Sequence, residues 1–114
     1  MAWESFAIEQ FEAYAVTYNT PGYPDIYAFI RLYWQGEQRA TLWFYRDSAT
    51  TIPANASFTS GGHTNYYGRF GQAAFRDSLD LLRNEKPVFF QWSDASKGVF
   101  LATGQEPVGE GELP

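Results

Sequence analysis

An α+β fold is what the sequence predicts: an antiparallel sheet, a β-meander or curled sheet of about five to seven strands, with one amphipathic helix packed on it and a C-terminal hairpin. Three observations carry this. Residues 26–45 hold two long runs of two-residue period, separated by Gln35-Gly36-Glu37. Residues 72–84 hold an apolar stripe of helical spacing. Shorter apolar runs at 11–18, 87–92 and 99–103 are each bounded by turn-forming residues.

The elements follow in order. Residues 1–10 mix both periods, and the alternation of Phe6 with Ile8 favours a short strand. Phe11 to Tyr18 reads as a strand, and Pro21-Gly22 behind it suits a type II turn. Ile26 to Trp34 is the strongest strand. Ile26, Ala28, Ile30, Leu32 and Trp34 share one face, and Tyr27, Phe29, Arg31 and Tyr33 share the other. Gln38 to Tyr45 runs back beside it. Pairing Leu32 with Ala40 and Ile30 with Leu42 joins the aliphatic sets, whereas a one-residue slip buries Arg39 against Leu32. This register implies a three-residue loop with a bulge near Gly36.

Ala49 to Phe58 has room for one more strand, confined to an edge by Pro53, which has no N–H to give to a ladder. Thr59 to Asn65 reads as a polar, glycine-rich loop, and Tyr66 to Gly71 as its lead into the helix. In the helix, Phe75, Leu79 and Leu82 fall on one side and Arg76, Asp77, Asp80 and Arg83 on the other. Pro87 stops it. Pro87 to Trp92 and Val99 to Thr103 form a hairpin that rejoins the sheet. Residues 1–103 thus make a single α+β domain. Residues 104–114 are an acidic Gly/Pro/Glu-rich tail of the composition that does not fold alone.

Composition narrows the chemistry. With no cysteine among 114 residues, disulfides, thiolate metal sites and a cysteine nucleophile are excluded within the chain. The first nine residues carry no basic group and no apolar run, and no stretch reaches the ~20 apolar residues of a membrane helix, so a cytoplasmic, membrane-free protein is expected. Net charge is −5 and the arginines are scattered, which disfavours nucleic acid unless Arg31, Arg39 and Arg46 gather on one surface. No phosphate loop, nucleophile elbow, metal motif or paired carboxylates stand out, so no cofactor and no catalytic role are expected.

Two features remain. Ten Phe, eight Tyr and four Trp exceed what one small core hides, and the second face of residues 26–45 concentrates them. Tyr27, Phe29, Arg31 and Tyr33 lie there beside Arg39, Trp43 and Tyr45. Tyrosine, tryptophan and arginine are the residues of interfaces. The expectation is a small binding or assembly module that forms a homodimer through this face. The competing reading is a small-molecule-binding protein or enzyme. It is centred on the single histidine, His63, in the Gly61–Asn65 loop, with Arg69 or Tyr66 assisting, and it requires a concave pocket under that loop.

Overall fold

The computed structural model describes residues 3–16 and 25–103. Eight strands and one helix follow each other as β1 (Trp3–Ala7), β2 (Gln10–Ala15), β3 (Ile26–Trp34), β4 (Glu37–Tyr45), β5 (Ala56–Ser60), β6 (His63–Gly71), α1 (Ala74–Asn84), β7 (Val88–Ser93) and β8 (Gly98–Thr103). The α+β class holds, with mostly antiparallel strands divided between two sheets. One has five strands in the order β2-β3-β4-β6-β5, and the other has three in the order β1-β7-β8. The Pro21-Gly22 turn and the acidic tail lie outside the described residues.

The β3–β4 register is the expected one: Ile30 opposes Leu42 and Leu32 opposes Ala40. The connection differs. Trp34 pairs with Glu37 across a two-residue turn, in which Gln35 and Gly36 both have positive φ, 52° and 76°. That is the backbone of a type I′ hairpin turn. The extra residue sits within β4, where the register shifts between Leu32 and Tyr33 and leaves Arg39 without a partner on β3. A second shift, between Ile26 and Ala28, does the same to Tyr27.

Two further corrections concern topology. Residues 59–65 are not a loop: Ser60 pairs with His63 around Gly61-Gly62, both at positive φ, and residues 63–71 are a nine-residue strand. The glycines that suggested a loop supply the left-handed turn of a hairpin. The chain leaves β4, makes β5 at the sheet edge, and returns as β6 between them, parallel to β4. The C-terminal hairpin β7–β8 does not rejoin the large sheet. It pairs with β1, Phe6 opposite Phe90, to make a sheet of its own.

The core lies between the sheets and under the helix. Ile30, Leu32, Ala40, Leu42, Phe44 and Tyr66 come from the large sheet, Phe6, Val88, Phe90 and Trp92 from the small one, and Leu82 from α1. The helix presents the expected stripe, and Phe75 meets the Phe44 ring edge-on at 5.2 Å. One side of the five-stranded sheet is therefore spent on the fold. Its other side carries the candidate site.

Candidate functional site

On the side of the large sheet away from the core, one aromatic ring from each of the five strands joins a continuous ladder. Tyr14 of β2 stacks on Phe29 of β3 at 4.6 Å, and Phe29 meets Trp43 of β4 at 4.9 Å. Trp43 meets Tyr67 of β6 edge-on at 6.2 Å, and Tyr67 meets Phe58 of β5 at 5.0 Å. Strand alternation explains the set: Phe29 and Trp43 are cross-strand partners whose neighbours Ile30 and Leu42 point into the core. The ladder is diagonal because Trp43 pairs with Arg69, so Tyr67 sits one step along β6.

Two guanidinium groups stand over rings of this layer. Arg31 stands over Tyr14 at 5.1 Å and over Phe29 at 5.5 Å. Arg69 stands over Tyr67 at 5.5 Å, and its Nη1 donates to the Ala54 carbonyl at 2.5 Å. Ring faces are electron-rich, so each contact adds cation–π attraction to apolar cover. At the β2 end, the Tyr33 hydroxyl donates to Glu12 Oε1 at 2.6 Å and the Tyr14 hydroxyl donates to the same oxygen at 3.1 Å. These donors, Tyr33 first, hold the Glu12 carboxyl below its ordinary range, and the same bond raises the Tyr33 phenol. The layer is only partly covered: Phe29 is buried, Trp43 and Tyr67 are half-buried, and Tyr14 and Phe58 are 37% and 53% exposed.

Of the residues predicted for this face, Phe29, Arg31, Tyr33, Trp43 and Tyr45 are on it, Tyr45 at its margin opposite Ile26. Tyr27 and Arg39 are not. Each is the extra residue of a bulge, which turns its side chain to the core side. Tyr27 meets Phe75 of α1 edge-on at 5.7 Å, and Arg39 lies over Phe6 at 5.4 Å and Trp34 at 5.2 Å. Arg46 donates to the Val16 carbonyl at 3.0 Å, so Arg31, Arg39 and Arg46 do not gather on one surface. Sequence reasoning missed Glu12, Tyr14, Phe58 and Tyr67 as members of the site. The Tyr67-Gly68-Arg69 alternation was the available signal for β6, hidden by reading its glycines as loop punctuation.

His63 stands at the turn end of the β5–β6 hairpin, next to Gly61-Gly62. Its Nδ1 is 3.1 Å from Glu37 Oε2, and the two side chains are 60% and 55% exposed. Arg69 lies six residues farther along β6, about 20 Å away. Tyr66 points into the core, where its hydroxyl donates to Glu4 and burial, reinforced by that bond, pushes the phenol far up. The three groups of the catalytic alternative are therefore not assembled. Two cavities are lined by other residues: one of about 270 Å³ between Ile8, Phe11 and the end of α1, and one of about 230 Å³ between α1 and β8. Among the described residues no three His, Asp or Glu side chains are grouped to hold a metal ion, and no helix is long and apolar enough to cross a membrane. No protein-family model, curated protein or solved structure matches the chain.

Proposed function

We propose that the protein is a non-catalytic assembly module that pairs with a second copy of itself through the outer face of the five-stranded sheet. The ladder of rings crossing all five strands carries this reading, because it forms an apolar layer on the side the protomer's own core does not use. The layer is also self-complementary. A two-fold axis along the strands sets Trp43 on its own copy and exchanges β3 with β6. Arg31 and Tyr67 share one row of the sheet, and Phe29 and Arg69 share the next. The exchange therefore opposes each arginine to an aromatic ring of the other copy.

Size sets the expected strength. Five strands at ~4.8 Å spacing and about six residues of ~3.3 Å make a face of roughly 24 by 20 Å. That is below the ~800 Å² per partner of a standard interface, so the dimer dissociates on dilution. Light scattering at tens of micromolar should give twice the chain mass, falling to one chain mass as the protein is diluted. Trp43→Asp places a charge at the centre of the layer and should give a folded monomer at all concentrations, with the amide spectrum of the core residues kept. A wild-type monomer across this range removes the proposal.

A further inference from the structure

The geometry points to a binding site for a small arylalkyl amine in the crevice between α1 and β8, a site separate from the aromatic layer and on the opposite side of the large sheet. The crevice encloses about 230 Å³. Its floor is Leu42 and Phe70 of the large sheet, and its walls are Ala74 and Leu81 of α1 and Val99 and Leu101 of β8. All six are apolar. An apolar cavity of about 150 Å³ is enough for benzene, so this volume takes one ring with a short arm.

The space depends on one glycine. A Cβ at Gly68 would come within 2.9 Å of the Phe70 ring and 3.1 Å of Leu42 Cδ2. With hydrogen there, the Phe70 ring lies back along its strand over Gly68, and the crevice above it stays open. The glycine is not held by backbone strain, since its φ is outside the left-handed range, so the missing side chain is what matters.

The rim decides the polarity of the occupant. Among the described residues, Asp77 and Ser78 are the polar side chains of the lining. An ionised carboxylate only accepts hydrogen bonds. The Ser78 hydroxyl spends its proton on the Ala74 carbonyl, at 2.8 Å, so its oxygen faces a ligand as an acceptor too. Among the described residues no basic side chain lines the crevice. A carboxylate or phosphate head meets acceptors and a like charge, whereas an ammonium group supplies three donors and the opposite charge. An arylalkyl amine places its ring between Leu81, Val99 and Leu101 and its ammonium between Asp77 and Ser78.

Phenethylamine and its near-isostere 3-phenylpropionate test this on the full-length chain by two-dimensional NMR titration. The amine should shift Leu81, Val99 and Leu101 signals with a Kd on the order of 1 mM, the affinity expected of about nine non-hydrogen atoms. The carboxylate should not saturate. Asp77→Asn, at an exposed position that leaves the fold intact, should weaken the amine about fivefold. Gly68→Ala should reduce its binding by lifting the Phe70 ring. Equal binding of both probes, Asp77→Asn without effect, or no shift at these residues up to about 10 mM would each overturn the assignment.

Discussion

The two sides of the five-stranded sheet use aromatic residues in opposite ways. On the inner side, Phe44 and Tyr66 are sealed by Phe90, Trp92 and Phe75, which arrive from the other sheet and the helix. On the outer side, Phe29, Trp43 and Tyr67 are covered by each other and by arginines of the same sheet. Adjacent residues of one strand show the contrast: Phe44 is fully buried, Trp43 half-buried. The outer rings are thus held by stacking, edge contacts and arginines from their own sheet, while the inner rings are held by elements that cross from the other layer.

The largest difference should appear on truncation. Phe44→Ala leaves a cavity where three elements meet and should cost about 3–5 kcal/mol in urea unfolding, with the m-value kept. Trp43→Ala removes a half-open ring and should cost about 2 kcal/mol in a protomer held at low concentration. Equal losses would mean that the outer layer is a second core and would erase the distinction.

Each side also holds a tyrosine–glutamate pair, Tyr66 with Glu4 inside and Tyr33 with Glu12 outside. Tyr66→Phe should cost about 1–2 kcal/mol at neutral pH, the value of a hydrogen bond to a charged group whose partner water can reach in part. The sign with pH is fixed by the raised phenol. Below the ordinary tyrosine value of 10.0 the folded and unfolded chains are both protonated and the stability is intact. Above it the unfolded chain ionises first, and stability is lost as pH rises. Wild type should therefore weaken steeply in alkali, and Tyr66→Phe should flatten that limb. Parallel limbs would show that another group controls it.

How much of this could be read from residues alone depends on where two-residue periodicity survives. It survives in β3 and β4, where Ile30 and Leu42 fix the register and Phe29 and Trp43 follow onto the outer face. It fails at Tyr27 and Arg39, because a bulge inserts one residue and turns a side chain without any mark in the pattern. It fails again at residues 63–71, where Gly68 and Gly71 break an alternation that Tyr66 and Phe70 otherwise keep. The pairing of β1 with β7 joins residues more than eighty positions apart, and no local rule announces it. The site was thus half legible: its β3–β4 centre was visible, and its flanks on β2, β5 and β6 were not.

A smaller effect tests the cation on the ladder. Arg31→Met keeps the apolar stem over Tyr14 and Phe29 and removes the charge, and should cost about 1 kcal/mol, the sum of two half-exposed cation–π contacts. A loss that vanishes entirely would assign the contact to packing of the stem alone.

The smallest effect belongs to Glu12, and it separates the two tyrosine–glutamate pairs by the direction of their pH dependence. Tyr33 and Tyr14 donate to the ionised carboxyl and hold it below the ordinary 4.5, so the proton is bound less readily in the folded chain. The resulting stabilisation is present above 4.5 and is lost as pH falls through the folded value. Glu12→Gln retains an acceptor for Tyr33 but has nothing to titrate, so it should differ slightly from wild type at neutrality, and the difference should close on acidification. The Glu12 carboxyl carbon, followed by NMR, should titrate below 4.5. A midpoint at or above that value would show that water, not the two hydroxyls, sets its charge. The outer face would then lack the one fixed polar anchor that distinguishes its β2 end, while the inner pair, governed by burial and titrating in alkali, would be untouched.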